Sequence, residues 1–389
     1  MKIFVTGIGV VSAIGLNAEE NLWSLKAGIT GIAKSTIYNL MTGEVKLNDA
    51  EIIQMLALPD EDFSRTTLLS LLAAKEAWAE NKIQRNIRTG LISATSVGGL
   101  DRTEKYYFKS RNNNSSEEYK LMTHDNGRTT ERIASELGIS GYIGTISTAC
   151  SSGANAIMQG ARLIKANKLD RVLVGGCDPL ALYDIKGFSS LNIYDGDICK
   201  PFDELRKGLN LGEGAAFLVL ESEESIRMTG NKPLCTLCGW DNATDAFHQT
   251  ASSPDGHGAY LAMKNALNKA NITSEKISYI NAHGTGTGNN DLSESIAIKN
   301  IFKDDIPPFS STKGYTGHTL AAAGAIEAVY CVQSILEQGI VPNINFSTPM
   351  KETGMVPEII FRPAVNIEYV LSNSFGFGGN CTCLIFGKV

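Results

Sequence analysis

Nothing in this chain of 389 residues approaches the roughly 18 consecutive apolar residues that a membrane span needs. The opening "MKIFVTGIGVVSAIG" has one lysine and an apolar stretch. Gly7, Gly9 and Gly15 break that run and Thr6 and Ser12 interrupt it, so it reads as a β-strand entering a glycine turn rather than a secretory leader. An excess of positive charge is missing too. A net charge of −6 argues against the broad basic footprint of a nucleic-acid-binding protein. Low-complexity tracts are absent, and 43% hydrophobic with 20% charged residues fits a folded globular chain of two or three domain-sized units. Dense cysteine spacing is lacking: the eight cysteines are scattered, which points to a reducing compartment and a cytoplasmic protein. Cys235 and Cys238 form a lone CxxC with no second pair and no histidine at metal-site spacing, so a zinc or redox role is poorly supported.

What is present is alternation. "KIFVTGIGVV", "TGLISATS", "YIGTIS", "RVLVGG" and "AAFLVLE" read as strands, several so apolar that both faces must be covered. Helical spacing runs through Ser64–Asn81, Arg128–Leu137 and Ser151–Ala166. After a boundary near Lys232 the pattern begins again. "CTLCGW", "ISYINAHG", "PPFSST", "EYVLSNSF" and "CTCLIFG" read as strands, with helices over Gly258–Ala270, Asp291–Phe302 and Leu320–Gln338. The order implies an α/β chain of two like-folded halves, 1–231 and 232–389. By element order Cys150 and Lys313 fall at equivalent places, each after a strand and before a helix. Loops at the carboxyl ends of strands are where catalytic groups gather in such sheets.

Four stretches carry candidate chemistry. In "TISTACSSGANAI", Cys150 stands at a strand-to-helix junction, followed by Ser151, Ser152, Gly153 and Ala154. On composition alone a free cysteine is a buried filler. At a helix N-terminus, however, unpaired N–H groups and the dipole favour the thiolate, so a lowered thiol pKa is expected. In "NAHGTGTGNND", His283 ends a strand and is followed by glycines whose spacing matches neither phosphate-binding fingerprint. In "SSTKGYTGHTLAAAGAIEAV", Lys313 and His318 flank glycines, and Glu327 lies along an Ala/Gly-rich helix. In "NSFGFGGN", glycines around Phe377 imply a tight turn whose amides can face a ligand.

Together these stretches resemble the β-ketoacyl-acyl carrier protein synthases, the type I/II (KAS II-like) condensing enzymes of the thiolase superfamily. The likeness spans nearly the whole chain and includes "KPFDELRKGLNLGEGAAFLVLE". It implies a thiolase-like fold, with duplicated βαβαβαββ halves in a five-layered α-β-α-β-α core, normally as a homodimer. The first half would carry the nucleophile and the second both catalytic histidines. Position by position, Cys150 matches the acyl-accepting nucleophile, and His283 and His318 match the catalytic histidines. Lys313 matches the active-site lysine and Glu327 its partner. Phe377 matches the gating phenylalanine whose N–H joins that of Cys150 in an oxyanion hole, and Phe375 and Gly376 complete the turn.

The implied reaction is decarboxylative Claisen condensation of an acyl thioester with malonyl-acyl carrier protein. It uses no metal or other cofactor, the acyl groups arriving on the phosphopantetheine arm of the carrier protein. Some positions depart from the family pattern. Gly288 stands where many relatives have proline, and Asn380 and Cys381 replace the commoner threonine-asparagine pair. The segment Thr36–Phe63 is shortened or altered, and "DRTEKYYFKSRNNNSSEEYKLMTHDN" lies where relatives shape the acyl pocket and dimer contact. A specialised ketosynthase of a secondary-metabolite pathway, paired with a related chain-length partner, is therefore an alternative. A degradative thiolase is disfavoured by the two histidines, and Cys381 and Cys383 read as core. A non-catalytic chain-length partner would lack the nucleophile. His124, His248 and His257 read as surface or loop groups, Cys177 as core, Arg206 as surface charge, and Asp203 and Glu213 as supports of the site.

Overall fold

The structure is a computed structural model and describes residues 1–59, 63–79, 81–113 and 118–389. Residues 60–62 of the altered segment Thr36–Phe63, and 114–117 of the stretch expected to shape the acyl pocket, lie outside the described residues.

The first half runs β1 (Ile3–Ser12), α1 (Arg65–Trp78), β2 (Thr89–Ala94), α2 (Asn126–Leu137), β3 (Ile143–Ile146), α3 (Ser152–Lys165), β4 (Arg171–Asp178) and β5 (Gly214–Ser222). The second runs β6 (Cys235–Thr244), α4 (His257–Ala270), β7 (Ile277–Asn281), α5 (Gly288–Phe302), β8 (Phe309–Ser310), α6 (Ala323–Glu337), β9 (Tyr369–Gly376) and β10 (Asn380–Gly387). Hydrogen bonding orders the first set β3-β2-β4-β5-β1 and the second β8-β7-β9-β10-β6. These are the same permutation, with the same parallel and antiparallel pairings. The duplication inferred from element order is thus present in the topology. The two sets join where β1 pairs with β6, Phe4 opposite Thr236 and Val5 opposite Cys235.

Strand periodicity explains the layers. Along β4 and β5, Val172, Val174, Leu218 and Leu220 enter a central core, while Leu173, Phe217 and Val219 enter an outer one under α1 and α2. Along β10, Leu384 and Phe386 face the same central core, while Cys383 and Ile385 face a third, under α4 and α5. A strand covered on both faces needs no polar alternation, which is why these runs are almost wholly apolar. Each burial class is the expected one for a helix-sheet-helix-sheet-helix stack.

The central layer is α3 and α6. Their closest approach uses glycine: a Cβ on Gly153 would lie 2.8 Å from the Ala321 carbonyl, and one on Gly324 would lie 2.9 Å from the Ala154 nitrogen. Small residues therefore let two helix N-terminal regions meet, one following Cys150 and the other following His318. The segment Leu320–Glu337 has a mean hydropathy of 1.3 and the length of a membrane span, but it is 89% buried between the sheets.

Candidate active site

Cys150 occupies the turn between β3 and α3, buried at 5% exposure. The preceding Ala149 has φ +53°, a left-handed conformation that an alanine adopts only when its surroundings hold it there. The β9–β10 hairpin comes down on this turn. A Cβ on Gly376 would stand 2.9 Å from the Thr148 carbonyl oxygen and 3.2 Å from the Cys150 nitrogen, so only glycine permits the approach. Gly378 and Gly379, at φ +84° and +78°, turn the chain back. The N–H groups of Phe377 and of Cys150 itself both face the sulfur.

The expected low thiol pKa is not found. Burial pushes the Cys150 thiol up to about 11, against the opposing pull of Lys313 and the two N–H groups. The helix N-terminus was the legible feature; loss of water around the sulfur is the larger effect.

Cys150, His283, His318, Phe375 and Phe377 line one cavity of about 130 Å³. The imidazoles of His283 and His318 stand edge to face with centroids 5.3 Å apart. Burial, with Lys313 as the next cause, drives both well below the ordinary histidine value, so both are neutral. Their tautomers follow from their neighbours. The Leu320 N–H donates to His318 Nδ1 at 3.1 Å, so that nitrogen is an acceptor and Nε2 carries the proton. The Lys313 Nζ lies 3.2 Å from His283 Nδ1, which fixes the same assignment there. Lys313 also donates to the His283 carbonyl at 2.5 Å and pairs with Glu327 at 2.5 Å, both side chains being nearly fully buried. Burial nonetheless raises the Glu327 carboxyl to about 7.

All eight residues singled out from the sequence therefore lie together. Four others that support the site were not foreseen. Glu294, in α5, accepts the N–H groups of His283 and Gly284 at 2.9 and 2.8 Å and an amide proton of Asn373, so it holds the His283 loop. Asp178, at the end of β4, accepts the Ala321 N–H at 2.8 Å and the Thr95 hydroxyl at 2.6 Å, tying the His318 loop to the first half. Phe188 stacks on Phe377, with centroids 5.6 Å apart and planes 17° apart. Asn380 binds the turn after Cys150. Glu294 could have been found: Asp291, Glu294 and Ile298 share one helix face, and a carboxyl on a core-facing stripe is an anomaly to explain.

Cys177 and Cys383 are buried in core clusters. Cys381 joins one of these clusters and also borders the cavity that holds Cys150. Asp203 accepts N–H groups from Leu205, Ser347 and Thr348, and Glu213 pairs with Arg65; neither lines the cavity that holds Cys150, so their reading as supports of the site is not seen in these contacts. Arg206, read as surface charge, in fact donates to the carbonyls of Thr287 and Gly288 and braces the loop after His283.

A twice-used sheet with a cysteine and two neutral histidines facing one cavity defines a condensing enzyme of the thiolase type. The chain belongs to the beta-ketoacyl synthase family, whose N-terminal domain matches residues 1–225 and whose C-terminal domain matches residues 234–347. The 3-oxoacyl-[acyl-carrier-protein] synthase 2 of Staphylococcus aureus (strain MRSA252) is 32% identical over 413 residues, covering 100% of this chain and 98% of that protein. Nodulation protein E of Rhizobium meliloti is also 32% identical, over 408 residues, covering 100% of this chain and 99% of that protein. Among solved structures, the ishigamide ketosynthase/chain length factor superimposes with a TM-score of 0.92 at 28% identity, covering 100% of this chain and 99% of that one. The ketosynthase ApeO, in complex with its chain length factor ApeC from Xenorhabdus doucetiae, gives 0.84 at 32% identity, covering 100% and 98%.

Proposed function

We propose that this chain is a 3-oxoacyl-[acyl-carrier-protein] synthase, an acyltransferase that extends acyl chains by decarboxylative condensation in fatty-acid or polyketide-type synthesis. The observation that carries the reading is the pair of neutral imidazoles, each with its Nδ1 engaged and its proton on Nε2, lining the cavity that holds the Cys150 sulfur.

The chemistry follows from those groups. The Cys150 sulfur attacks the carbonyl of an acyl thioester; its proton leaves with the departing carrier thiol. The N–H groups of Cys150 and Phe377 receive the oxyanion, and one such donor is worth roughly 3–4 kcal/mol. Malonyl thioester then loses CO₂ as its C–C bond breaks, leaving an enolate. The Nε2–H groups of His283 and His318 donate to the enolate oxygen, a role that a neutral imidazole with a fixed tautomer can fill. The enolate carbon attacks the acyl-Cys150 carbonyl, a new C–C bond forms, and the thiolate is released with a 3-oxoacyl chain two carbons longer. Lys313, paired with Glu327, holds His283, and its charge adds to burial in keeping both rings uncharged. Phe375 and Gly376 set the turn, and Phe377 closes the cavity against Phe188.

The substrates are carried on the phosphopantetheine arm of acyl carrier protein, the partner implied by the relatives' names, and the enzyme works in the cytoplasm. Its halves meet near Lys232, as 1–231 and 232–389. The strand β3 lies at the end of the ten-strand order with Ile143 42% exposed, an open edge that supports pairing with a second copy or a related chain. The test is a division of labour. Replacing His283 or His318 by alanine should cut malonyl decarboxylation at least about 100-fold while slowing acylation of Cys150 far less. Equal loss in both half-reactions would contradict the assignment.

A further inference from the structure

The hairpin that carries Phe377 and the turn that carries Cys150 come from opposite halves of the chain, yet an oxyanion hole needs their two N–H groups held in fixed relation. Asn380 joins them. Across the hairpin it is the direct partner of Gly376, so it forms the base of the turn Phe377–Gly379. Its side-chain oxygen lies 2.6 Å from the Ser151 hydroxyl, and Ser151 follows Cys150 in the chain. The same oxygen accepts from Asn155 Nδ2 at 2.8 Å and from Asn242 Nδ2 at 2.7 Å.

These partners are themselves fixed. Asn155, on the first turns of α3, also donates to the Thr148 hydroxyl at 2.8 Å and accepts from the Thr382 hydroxyl at 2.8 Å. Asn242 lies within 2.8 Å of Thr382 as well. Thus one amide oxygen links β10, β6 and the N-terminal end of α3 into a closed polar knot against the nucleophile. Ser151 and Thr382 are fully buried and Asn155 is 6% exposed, and although the Ser151 hydroxyl also reaches the Thr148 carbonyl at 2.8 Å, loss of Asn380 removes the acceptor that ties it across to the hairpin. A threonine here, which the family pattern leads one to expect, has a shorter side chain and no second polar arm.

We propose that Asn380 is a positioning residue for the acylation step, its side-chain oxygen locking the turn that presents the Phe377 N–H against the turn that presents Cys150. The proposal rests on the condensing-enzyme reading of the site. It concerns the acyl-transfer geometry alone; the histidine pair is held by other groups, Lys313 and Glu294. A displacement of about 1 Å between donor and oxyanion costs on the order of 100-fold in rate.

The test uses the full-length protein with Asn380→Ala, Ser151→Ala and the double variant, and three rates on each. Single-turnover acylation by acyl-carrier protein should fall roughly 10- to 100-fold, with the KM for the acyl donor little changed. Malonyl decarboxylation should stay within about twofold, and iodoacetamide alkylation of Cys150, whose thiol the Phe377 N–H also lowers, should fall less than acylation does. Because both substitutions cut one link, the double variant should be no worse than the poorer single one. Acylation unchanged in Asn380→Ala, or all three rates falling in parallel, would overturn the proposal; so would additive losses. If Asn380→Ala fails to fold, Ser151→Ala reads the same link. Absence of acylation in the unaltered protein would instead defeat the condensing-enzyme reading itself.

Discussion

The Lys313 ammonium lies between the Nδ1 of His283 and the carboxylate of Glu327, 3.2 Å from the one and 2.5 Å from the other. Burial drives the His283 imidazole low, and the buried cation beside it adds to that, so the ring stays neutral. The same cation lowers the thiol of Cys150, although burial outweighs it. One side chain thus bears on both the thiol and the imidazoles.

Lys313→Met should therefore slow Cys150 directly. With the thiol already near 11, and Lys313 pulling it down, loss of the cation moves the thiol higher. Thiolate at a given pH falls, and the rate of alkylation of Cys150 at about pH 8 should drop by roughly tenfold, one pKa unit's worth. The full pH profile of alkylation checks the sign: its midpoint must move upward. An unchanged or lower midpoint would contradict the arrangement.

Gly376→Ala should damage acylation with the fold intact. The added Cβ meets backbone atoms of Thr148, Cys150 and Ser151 at 2.9, 3.2 and 3.3 Å, none of which can rotate away. The hairpin must lift from the nucleophile, and acylation should fall at least about 100-fold. Circular dichroism and thermal melting should show a folded protein.

Asp184 gives a pH prediction. It is 9% exposed, and its Oδ2 atom has no hydrogen-bond partner among the described residues. Burial, followed by the nearby Asp178 and Glu104 carboxylates, pushes it up to about 7. A carboxyl raised on folding contributes stability below the ordinary carboxylate range and loses that contribution as pH rises through about 7. Asp184→Asn abolishes the titration, so its melting temperature relative to the parent should improve between about pH 5 and pH 8, by roughly 2 °C or more. A difference that does not change with pH would show that Asp184 does not titrate in that window.

Much of this was legible in the chain. The strands, the repeat of element order and the four glycine-flanked motifs depend on local period and turn chemistry, which sequence displays directly. The Cys150 turn, the His283 and His318 loops and the Phe377 hairpin all fall where those motifs placed them. What escaped notice depends on contacts between distant segments. Asp178 ends an apolar strand with nothing local to mark it, and its role appears only when the Ala321 N–H arrives from the other half. Asn380 showed only as a departure from the family pattern; its three donors come from α3, β6 and the residue after Cys150. The thiol pKa was misjudged for the same reason: dipole direction is local, burial is not.

The most direct measurement is intact-mass and peptide mass spectrometry after incubation with a saturated acyl-carrier protein alone. The account predicts one acyl group per chain, located on the peptide containing Cys150 and lost in Cys150→Ala, with no transfer to Cys381 or any other cysteine. An acyl group found elsewhere, or undiminished in Cys150→Ala, would contradict it.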